Sequence, residues 1–270
     1  MANWVDGVAE DSISVKDRGL LLADGHFTTA YVADGAVSLW PAHRQRLADG
    51  CRLLGFCAPD WSALEREVAS ACRGYSQAAI RITLTRGDSG RGYEGEWPAR
   101  PRRLIQIAPF PKRYRAWQQA GIRVACARQR LASGGALAGI KTLARTEQVL
   151  LKREVQVRGV EDLLVLDPNG YVVEATAANL FFLIDGVVVT PSLSHSGIAG
   201  VMRNHVISLL AEQGRPVLAR PMHGNEVASC TAAFMTNCLM GIVPIRQLDQ
   251  RILKDRSLAD TLLDVGVLWR

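Results

Sequence analysis

A lysine that follows a long uncharged run is the first residue of this chain whose setting suggests covalent chemistry. Lys141 comes directly after Gly134–Ile140, a run of small and apolar residues. Poor solvation disfavours an ammonium group and lowers its pKa, as a lysine that attacks a carbonyl carbon requires. The run therefore points to a lysine that bonds to an aldehyde, although spacing alone favours a surface lysine at the start of an amphipathic helix.

A carboxylate in an apolar setting is the second candidate. Glu174 ends the predicted strand Tyr171–Glu174 and is followed by small residues. If it is buried, its charge needs a cation or hydrogen-bond donors nearby. The protonated nitrogen of a pyridine ring would be such a partner, and the contact would keep a pyridine-containing cofactor able to accept electrons. Taken alone, Glu174 is better explained as an exposed glutamate on an edge strand.

Two features could bind phosphate. The segment Ser196–Arg203 is a glycine-containing turn that opens into a helix, and the free N–H groups and dipole of such a helix start attract anions. It is not a P-loop, because the Gly-Lys-Ser/Thr ending is missing. Arg46 could pair with phosphate through its planar guanidinium. An ordinary glycine turn and a solvent-exposed arginine are the alternatives.

Other polar residues offer weaker patterns. Arg86, Arg91 and Tyr93 surround a glycine-rich stretch, where they could bind a carboxylate or decorate a surface loop. His223 and Glu226 lie three positions apart, but no further histidine or cysteine completes a set of metal ligands. The sequence therefore predicts no metal site.

The composition favours a folded protein that binds small anions. The 270 residues are 48% hydrophobic and carry a formal net charge of +6. The basic residues are spread along the chain, which favours anionic small molecules over nucleic acid. The six cysteines form no Cys-x-x-Cys pair, and no apolar stretch approaches the roughly 20 residues of a membrane helix. We expect a cytoplasmic protein with no nucleic-acid or membrane partner.

Turn signals and helical periodicity predict an α+β chain. Three hairpin turns are expected, at Asp34-Gly35, Asp167–Gly170 and Asp185-Gly186, the first between strands Phe27–Ala33 and Ala36–Trp40. Helices are expected over 60–71, 142–157, 200–213 and 257–265, with a further helix from Pro41. The proline-containing segment 111–120 is interpreted as a linker between a small N-terminal α+β domain, 1–110, and a larger C-terminal domain, 121–270.

In this order, the pieces resemble the fold-type IV pyridoxal-phosphate enzymes, the class IV aminotransferase family, over nearly the whole chain. The resemblance rests on Asp17-Arg18-Gly19, Asp24-Gly25, Arg46-Leu47, Lys141, Glu174, Ala178–Phe181 and Gly197–Arg203. It implies a small N-terminal α/β domain and a barrel-like C-terminal domain with helices. It also implies pyridoxal 5'-phosphate, with its aldehyde on Lys141 and its ring nitrogen against Glu174. The phosphate would be held by Arg46, the N–H groups of Val201 and Met202, and the Asn237-Cys238 region.

Within this family, the sequence is similar to that of aminodeoxychorismate lyases in the segments Asp24–Ala30, Thr85–Tyr93 and Ala138–Lys141. This resemblance implies a lyase of folate biosynthesis that converts dianionic 4-amino-4-deoxychorismate to 4-aminobenzoate and pyruvate. Thr29 would assist Lys141 in proton transfer, and Thr29, Arg86, Arg91 and Tyr93 would contact the substrate. A homodimer is implied as well. A D-amino-acid or branched-chain aminotransferase of the same fold is the alternative, against which the pair Thr28-Thr29 argues.

Overall fold

The computed structural model describes residues 2–264. These residues divide into two compact units. The first unit runs to Pro111 and also includes Lys141–Ala144, and the second comprises Lys112–Ile140 and the described residues from Arg145 onward. The ends of the two predicted domains, residues 1 and 265–270, lie outside the described residues. Within residues 2–264, no helix has both the length and the apolar character needed to cross a membrane.

The first unit is a six-stranded sheet with three helices, two of which pack against one face of the sheet. Its strands are β1 (Ala2–Val5), β2 (Val8–Ala9), β3 (Gly25–Ala33), β4 (Ala36–Val37), β5 (Gln77–Thr85) and β6 (Arg102–Pro109), and its helices are α1 (Arg18–Leu22), α2 (Trp40–Leu54) and α3 (Trp61–Cys72). The strand order is β2-β1-β6-β5-β3-β4, and every pair is antiparallel.

Side-chain alternation along β5 separates the two faces of this sheet. Ile80, Ile82 and Leu84 are fully buried in a core that α2 and α3 complete. Because neighbouring residues of a strand point to opposite faces, Arg81 and Thr83 lie on the other face. Arg81 and Thr83 thus lie on the face away from α2 and α3.

The hairpin predicted at Asp34-Gly35 is confirmed. These residues have φ values of 46° and 79°, the positive values of a two-residue type I′ turn. The second strand ends at Val37 and does not reach Trp40 as predicted. Leu39, with a φ of 55°, turns the chain into α2, whose first turn contains a proline.

The second unit is a nine-stranded mixed sheet with four α-helices. Its strands are β7 (Ile122–Cys126), β8 (Asp162–Leu166), β9 (Val172–Ala175), β10 (Asn179–Ile184), β11 (Val187–Pro191), β12 (Val217–Arg220), β13 (Ala232–Asn237), β14 (Gly241–Leu248) and β15 (Arg251–Ile252). Its helices are α4 (Arg113–Ala120), α5 (Thr146–Arg158), α6 (Val201–Glu212) and α7 (Ser257–Asp264), with a 3-10 helix over Gly224–Ser229.

This sheet curls around an apolar core. Its order is β12-β11-β10-β13-β14-β7-β8-β9, with β15 on β14. The edge strand β9 returns toward β10, where the Ala175 N–H donates to the Ala178 carbonyl over 2.7 Å. Leu164, Phe182 and Met235 are among the core residues inside the curl. The predicted α+β fold with a barrel-like C-terminal part is thereby confirmed, as are the hairpins at 167–170 and 185–186.

The segment predicted as a linker forms a helix of the second unit instead. Most of 111–120 lies in α4, and its Tyr114 and Trp117 pack against the core of the curled sheet. These residues are three positions apart and therefore share one helix face. Charge and proline suggested a linker, but two aromatic anchors fix the segment to the sheet.

Candidate active site

The backbone of the lysine segment pairs with the first residues of β3. The Phe27 N–H donates to the Lys141 carbonyl over 3.0 Å, and the Leu143 N–H donates to the Gly25 carbonyl over 3.0 Å. This pairing explains why residues 141–144 belong to the first unit although the chain on both sides belongs to the second. Lys141 itself is half-buried, and its Nζ lies 4.6 Å from the centre of the Phe27 ring.

An arginine that the sequence analysis did not single out lies on the same aromatic ring. The guanidinium carbon of Arg81 is 3.7 Å from the centre of the Phe27 ring, and its Nε donates to Thr83 Oγ1 over 3.2 Å. Burial lowers the pKa of this guanidinium, and no carboxylate of residues 2–264 forms an ion pair with it. The signal in the sequence was an arginine between Ile80 and Ile82, two residues that point into the core.

The two adjacent threonines of β3 face opposite sides of the sheet. Thr28 is buried on the helix side, where its Oγ1 lies 2.6 Å from Nδ1 of His43. Thr29 is half-buried on the face of Phe27 and lies opposite Arg81 in the strand register. Thr29 is therefore the threonine on the same face as the Phe27 ring that contacts Lys141.

Arg46 lies on α2, three residues after His43. Burial, and then the nearby positive charge of Arg46, lower the pKa of His43 to about 3. The imidazole is therefore neutral at ordinary pH. Arg46 itself is half-buried, so part of its side chain can be reached from solvent.

The predicted substrate loop is attached to the first unit by two buried arginines. Arg86 donates to both carboxylate oxygens of Asp24, at 2.7 Å and 3.3 Å, and to two backbone carbonyls. Arg18 donates to the same Asp24 and to the carbonyls of residues 89, 92, 93 and 94. The Arg86 side chain is only 1% exposed. The structure thus commits its hydrogen-bond donors to internal partners and gives no support to the predicted substrate contact.

Arg91 and Tyr93 lie at the exposed tip of this loop. Tyr93 is 91% exposed, and Arg91 is exposed as well. Arg18 donates to four carbonyls of this loop, so the loop backbone is held in place while the side chains at its tip are exposed. Arg86 therefore differs from Arg91 and Tyr93, because its side chain is internal whereas theirs are exposed.

In the second unit, the buried Glu174 accepts a hydrogen bond from the backbone of the glycine turn. Glu174 is 3% exposed, and its Oε2 accepts the N–H of Ile198 over 2.9 Å. Gly197 has a φ of 84°, and a Cβ there would lie 2.8 Å from Val173 and 3.2 Å from Glu174 Oε2. Nearby, burial lowers the pKa of Arg145, while the negative charge of Glu174 acts against that shift.

The turn leads into α6 without a side-chain cap. Gly200 is the N-cap residue and makes no side-chain cap hydrogen bond. The first N–H groups of a helix have no partner within the helix, so the start at Val201 and Met202 offers donors and a positive dipole end to an anion. Both side chains are buried, which leaves the backbone as the polar part of this helix start.

Asn237 closes the turn between β13 and β14. Its Oδ1 accepts the N–H groups of Leu239 and Met240 over 2.9 Å and 2.8 Å, and its Nδ2 donates to the Ala177 carbonyl over 2.9 Å. The side chain therefore shapes the turn that carries Cys238, which is half-buried. Strand pairing between Asn179 and Thr236 places this turn in the same part of the second unit as the start of β10.

Each unit on its own thus presents groups typical of an enzyme: an amine and an uncompensated guanidinium in the first, and a buried carboxylate beside an uncapped helix start in the second. The family model described as "Amino-transferase class IV" matches residues 25–248. The chain therefore belongs to the class IV aminotransferase family, and the resemblance stated from the sequence is confirmed.

Some relatives of this chain are named as lyases and others as aminotransferases. The chain is 34% identical over 242 residues to an aminodeoxychorismate lyase of Vibrio harveyi, covering 90% of this chain and 89% of that protein. It is 28% identical over 221 residues to a branched-chain-amino-acid aminotransferase of Escherichia coli K12, covering 77% and 69%. The crystal structure of 4-amino-4-deoxychorismate lyase from Pseudomonas aeruginosa has a TM-score of 0.90 at 36% identity and covers 97% and 98%.

The close packing of the glycine turn on Glu174 predicts an effect of Gly197→Ala on stability. A Cβ in a left-handed backbone conformation is unfavourable, and the contact with Val173 should add about 1–3 kcal/mol of overpacking. Gly186→Ala is the matched control, because Gly186 also has a positive φ, 78°, but has no atom within 4 Å of the added Cβ. Urea unfolding should show the larger loss for Gly197→Ala, and equal losses would contradict the packing described here.

Proposed function

We propose that this chain is a pyridoxal-phosphate-dependent aminodeoxychorismate lyase, which converts 4-amino-4-deoxychorismate to 4-aminobenzoate and pyruvate. The observation that carries the proposal is the sheet face on which Lys141, Thr29 and Arg81 surround Phe27. The Vibrio harveyi and Pseudomonas aeruginosa lyases support it, because each matches this chain over about nine-tenths of its length or more.

The residues present fit pyridoxal 5'-phosphate. Its aldehyde suits the amine of Lys141, and its protonated ring nitrogen suits the buried carboxylate of Glu174. Its phosphate suits the uncapped start of α6, at Gly200. Gly200 must remain without a side chain, because a Cβ there would collide with the amide oxygen of Asn179.

The family motifs indicate which residues would hold the phosphate. The N–H groups of Val201 and Met202 would donate to it, and Arg46 would neutralise part of its charge. Asn237 would act indirectly, because its side chain orders the turn that presents the backbone around Cys238. These assignments belong to the proposal and follow the order of the family motifs.

The proton transfers would be made by two side chains of the first unit. When bound, the cofactor ring supplies a sink for the electron pair released at the substrate carbon. Lys141 would take the proton from the carbon that bears the substrate nitrogen. The protonated Lys141 amine would return that proton to the departing enolpyruvyl group, directly or through the hydroxyl of Thr29 on the face of the Phe27 ring, a general-acid contribution of about 10²–10⁴-fold. Loss of that group makes the substrate ring aromatic.

Arg81 is our proposed anchor for a substrate carboxylate. A guanidinium that is poorly solvated and has no carboxylate partner among residues 2–264 is poised for an anionic ligand. The exposed tip residues Arg91 and Tyr93 would contact the substrate as well. Arg86 would act through the loop backbone, since its donors are used by Asp24 and by carbonyls.

An aminotransferase of the same family is the second candidate. It would begin with the same proton abstraction, and the outcome depends on where the proton is returned. The relative named as a branched-chain aminotransferase matches a smaller share of this chain at lower identity. Thr29 favours the lyase, because it offers a hydroxyl donor on the lysine face. The homodimer and the cytoplasmic location implied by the resemblance are also part of the proposal.

The Lys141→Ala variant tests the proposed role of the amine. The unchanged protein should release 4-aminobenzoate from 4-amino-4-deoxychorismate with no added keto acid. Lys141→Ala should lower that rate by at least about 10²–10⁴-fold, because the base that takes the proton is gone. Lys254→Ala, at an exposed lysine of the second unit, is the control and should keep the full rate. Turnover that requires a keto acid would favour the aminotransferase, and full activity of Lys141→Ala would refute both.

Replacing Arg81 separates substrate binding from chemistry. Arg81→Gln should raise KM by about 10- to 100-fold with a smaller change in kcat, because a charge-assisted hydrogen bond to the substrate is lost. Arg81→Lys should recover part of the loss, and Arg66→Gln, at an exposed arginine of α3, should change neither constant. An unchanged KM in Arg81→Gln would remove Arg81 from the substrate site.

A further inference from the structure

The mouth of the curled sheet in the second unit contains a cavity that the proposed reaction does not use. Its volume is about 780 Å³, within the usual range for small-molecule sites, which are often found in the mouths of barrels. Leu164 and Leu166 of β8 and Leu248 of β14 form one wall, and Val227 and Ala228 of the 3-10 helix form another. The wall is continuous with the core inside the curl.

This cavity lies on the opposite face of the β8–β9 pair from Glu174. Glu174 pairs with Val165, whose side chain belongs to the cluster outside the curl. Leu164 pairs with Ala175, and both point into the core inside the curl. Because directly paired residues of antiparallel strands share a face, the cavity and Glu174 are separated by the hairpin itself. The cavity is therefore a separate site within the second unit.

Charge at the rim of the cavity favours an anion. Arg130 is exposed and forms no hydrogen bond or ion pair in the described part of the chain. Arg251 donates to the carbonyls of Val227 and Ala228 and has no carboxylate partner there. The only carboxylate among the lining residues, Asp249, lies 3.8 Å from Arg158, which offsets its charge. An apolar wall with a positive rim suits a molecule with an apolar body and one negative end.

We infer that this cavity binds a small monocarboxylate with an apolar body. The body would lie against Leu166 and Val227, where it removes apolar surface from water. The carboxylate would lie at the rim, where Arg130 supplies an unused guanidinium. The site does not depend on the proposed reaction, since no residue that we assign to the cofactor or the substrate lines it.

Calorimetric titration of the holoenzyme with octanoate tests the inference. One site per chain is expected, with 1-octanol binding more weakly because it lacks the charge and acetate not binding because it lacks the apolar body. Benzoate in a parallel titration distinguishes a ring from a chain as the preferred body. No heat of binding with octanoate or benzoate up to millimolar concentration would overturn the inference.

Three variants locate the site. Arg130→Gln should weaken octanoate binding by roughly five- to tenfold, because an ion pair at an apolar rim is lost. Ala228→Trp should abolish binding by filling the cavity from an exposed position. Arg153→Gln, at an exposed arginine of α5, is the matched control and should bind like the unchanged protein. Unchanged binding by Ala228→Trp would place octanoate elsewhere and refute the site.

A thiol in the cavity wall provides a local readout that needs no enzyme activity. Cys126 lines the cavity and is half-buried. Octanoate should slow the alkylation of Cys126 by iodoacetamide, while the half-buried Cys57 of the first unit should react at an unchanged rate. Peptide mass spectrometry measures both thiols in one sample. Equal protection of both, or of neither, would contradict the site, whether or not the chain makes 4-aminobenzoate.

Discussion

Two backbone hydrogen bonds between the lysine segment and β3 determine which side chains lie near Lys141. They join the Phe27 N–H to the Lys141 carbonyl and the Leu143 N–H to the Gly25 carbonyl, each over 3.0 Å. Through them, a segment more than a hundred residues along the chain becomes part of the first unit. The amine then lies against Phe27, on the sheet face that also carries Thr29 and Arg81. The cationic character of this face follows from that placement.

In the second unit, a backbone hydrogen bond to Glu174 positions the glycine turn that precedes α6. Glu174 is buried and accepts the Ile198 N–H, so one of its oxygens holds the glycine turn in place. That turn starts α6 with a glycine N-cap and no capping side chain. A buried carboxylate and a free helix start are costly features in a protein that binds nothing. We propose that both serve a cofactor that has a protonated ring nitrogen and a phosphate.

Local chemistry made much of this architecture predictable. A two-residue type I′ turn requires positive φ at both positions, and Asp-Gly between two strand-like runs tolerates it, which is why the hairpins at 34–35 and 185–186 could be placed from the sequence. The candidate residues Lys141 and Glu174 were identified by apolar neighbours and motif order. Long-range packing was not predictable in the same way. Residues 113–120 form α4 because Tyr114 and Trp117 find a core that the local sequence does not reveal. Arg86 is internal because it pairs with Asp24, which lies 62 residues away in the sequence. Arg81 could be identified as a candidate only from the sheet, which shows on which face its side chain lies.

We propose that the side chain of Lys141 carries the cofactor, and borohydride trapping tests this most directly. Purified holoenzyme would be reduced with borohydride, digested, and analysed by peptide mass spectrometry for the added phosphopyridoxyl mass. The added mass should appear on the peptide that contains Lys141 and should be absent from every other lysine peptide. Label on a different lysine, or none on a protein saturated with pyridoxal 5'-phosphate, would contradict it.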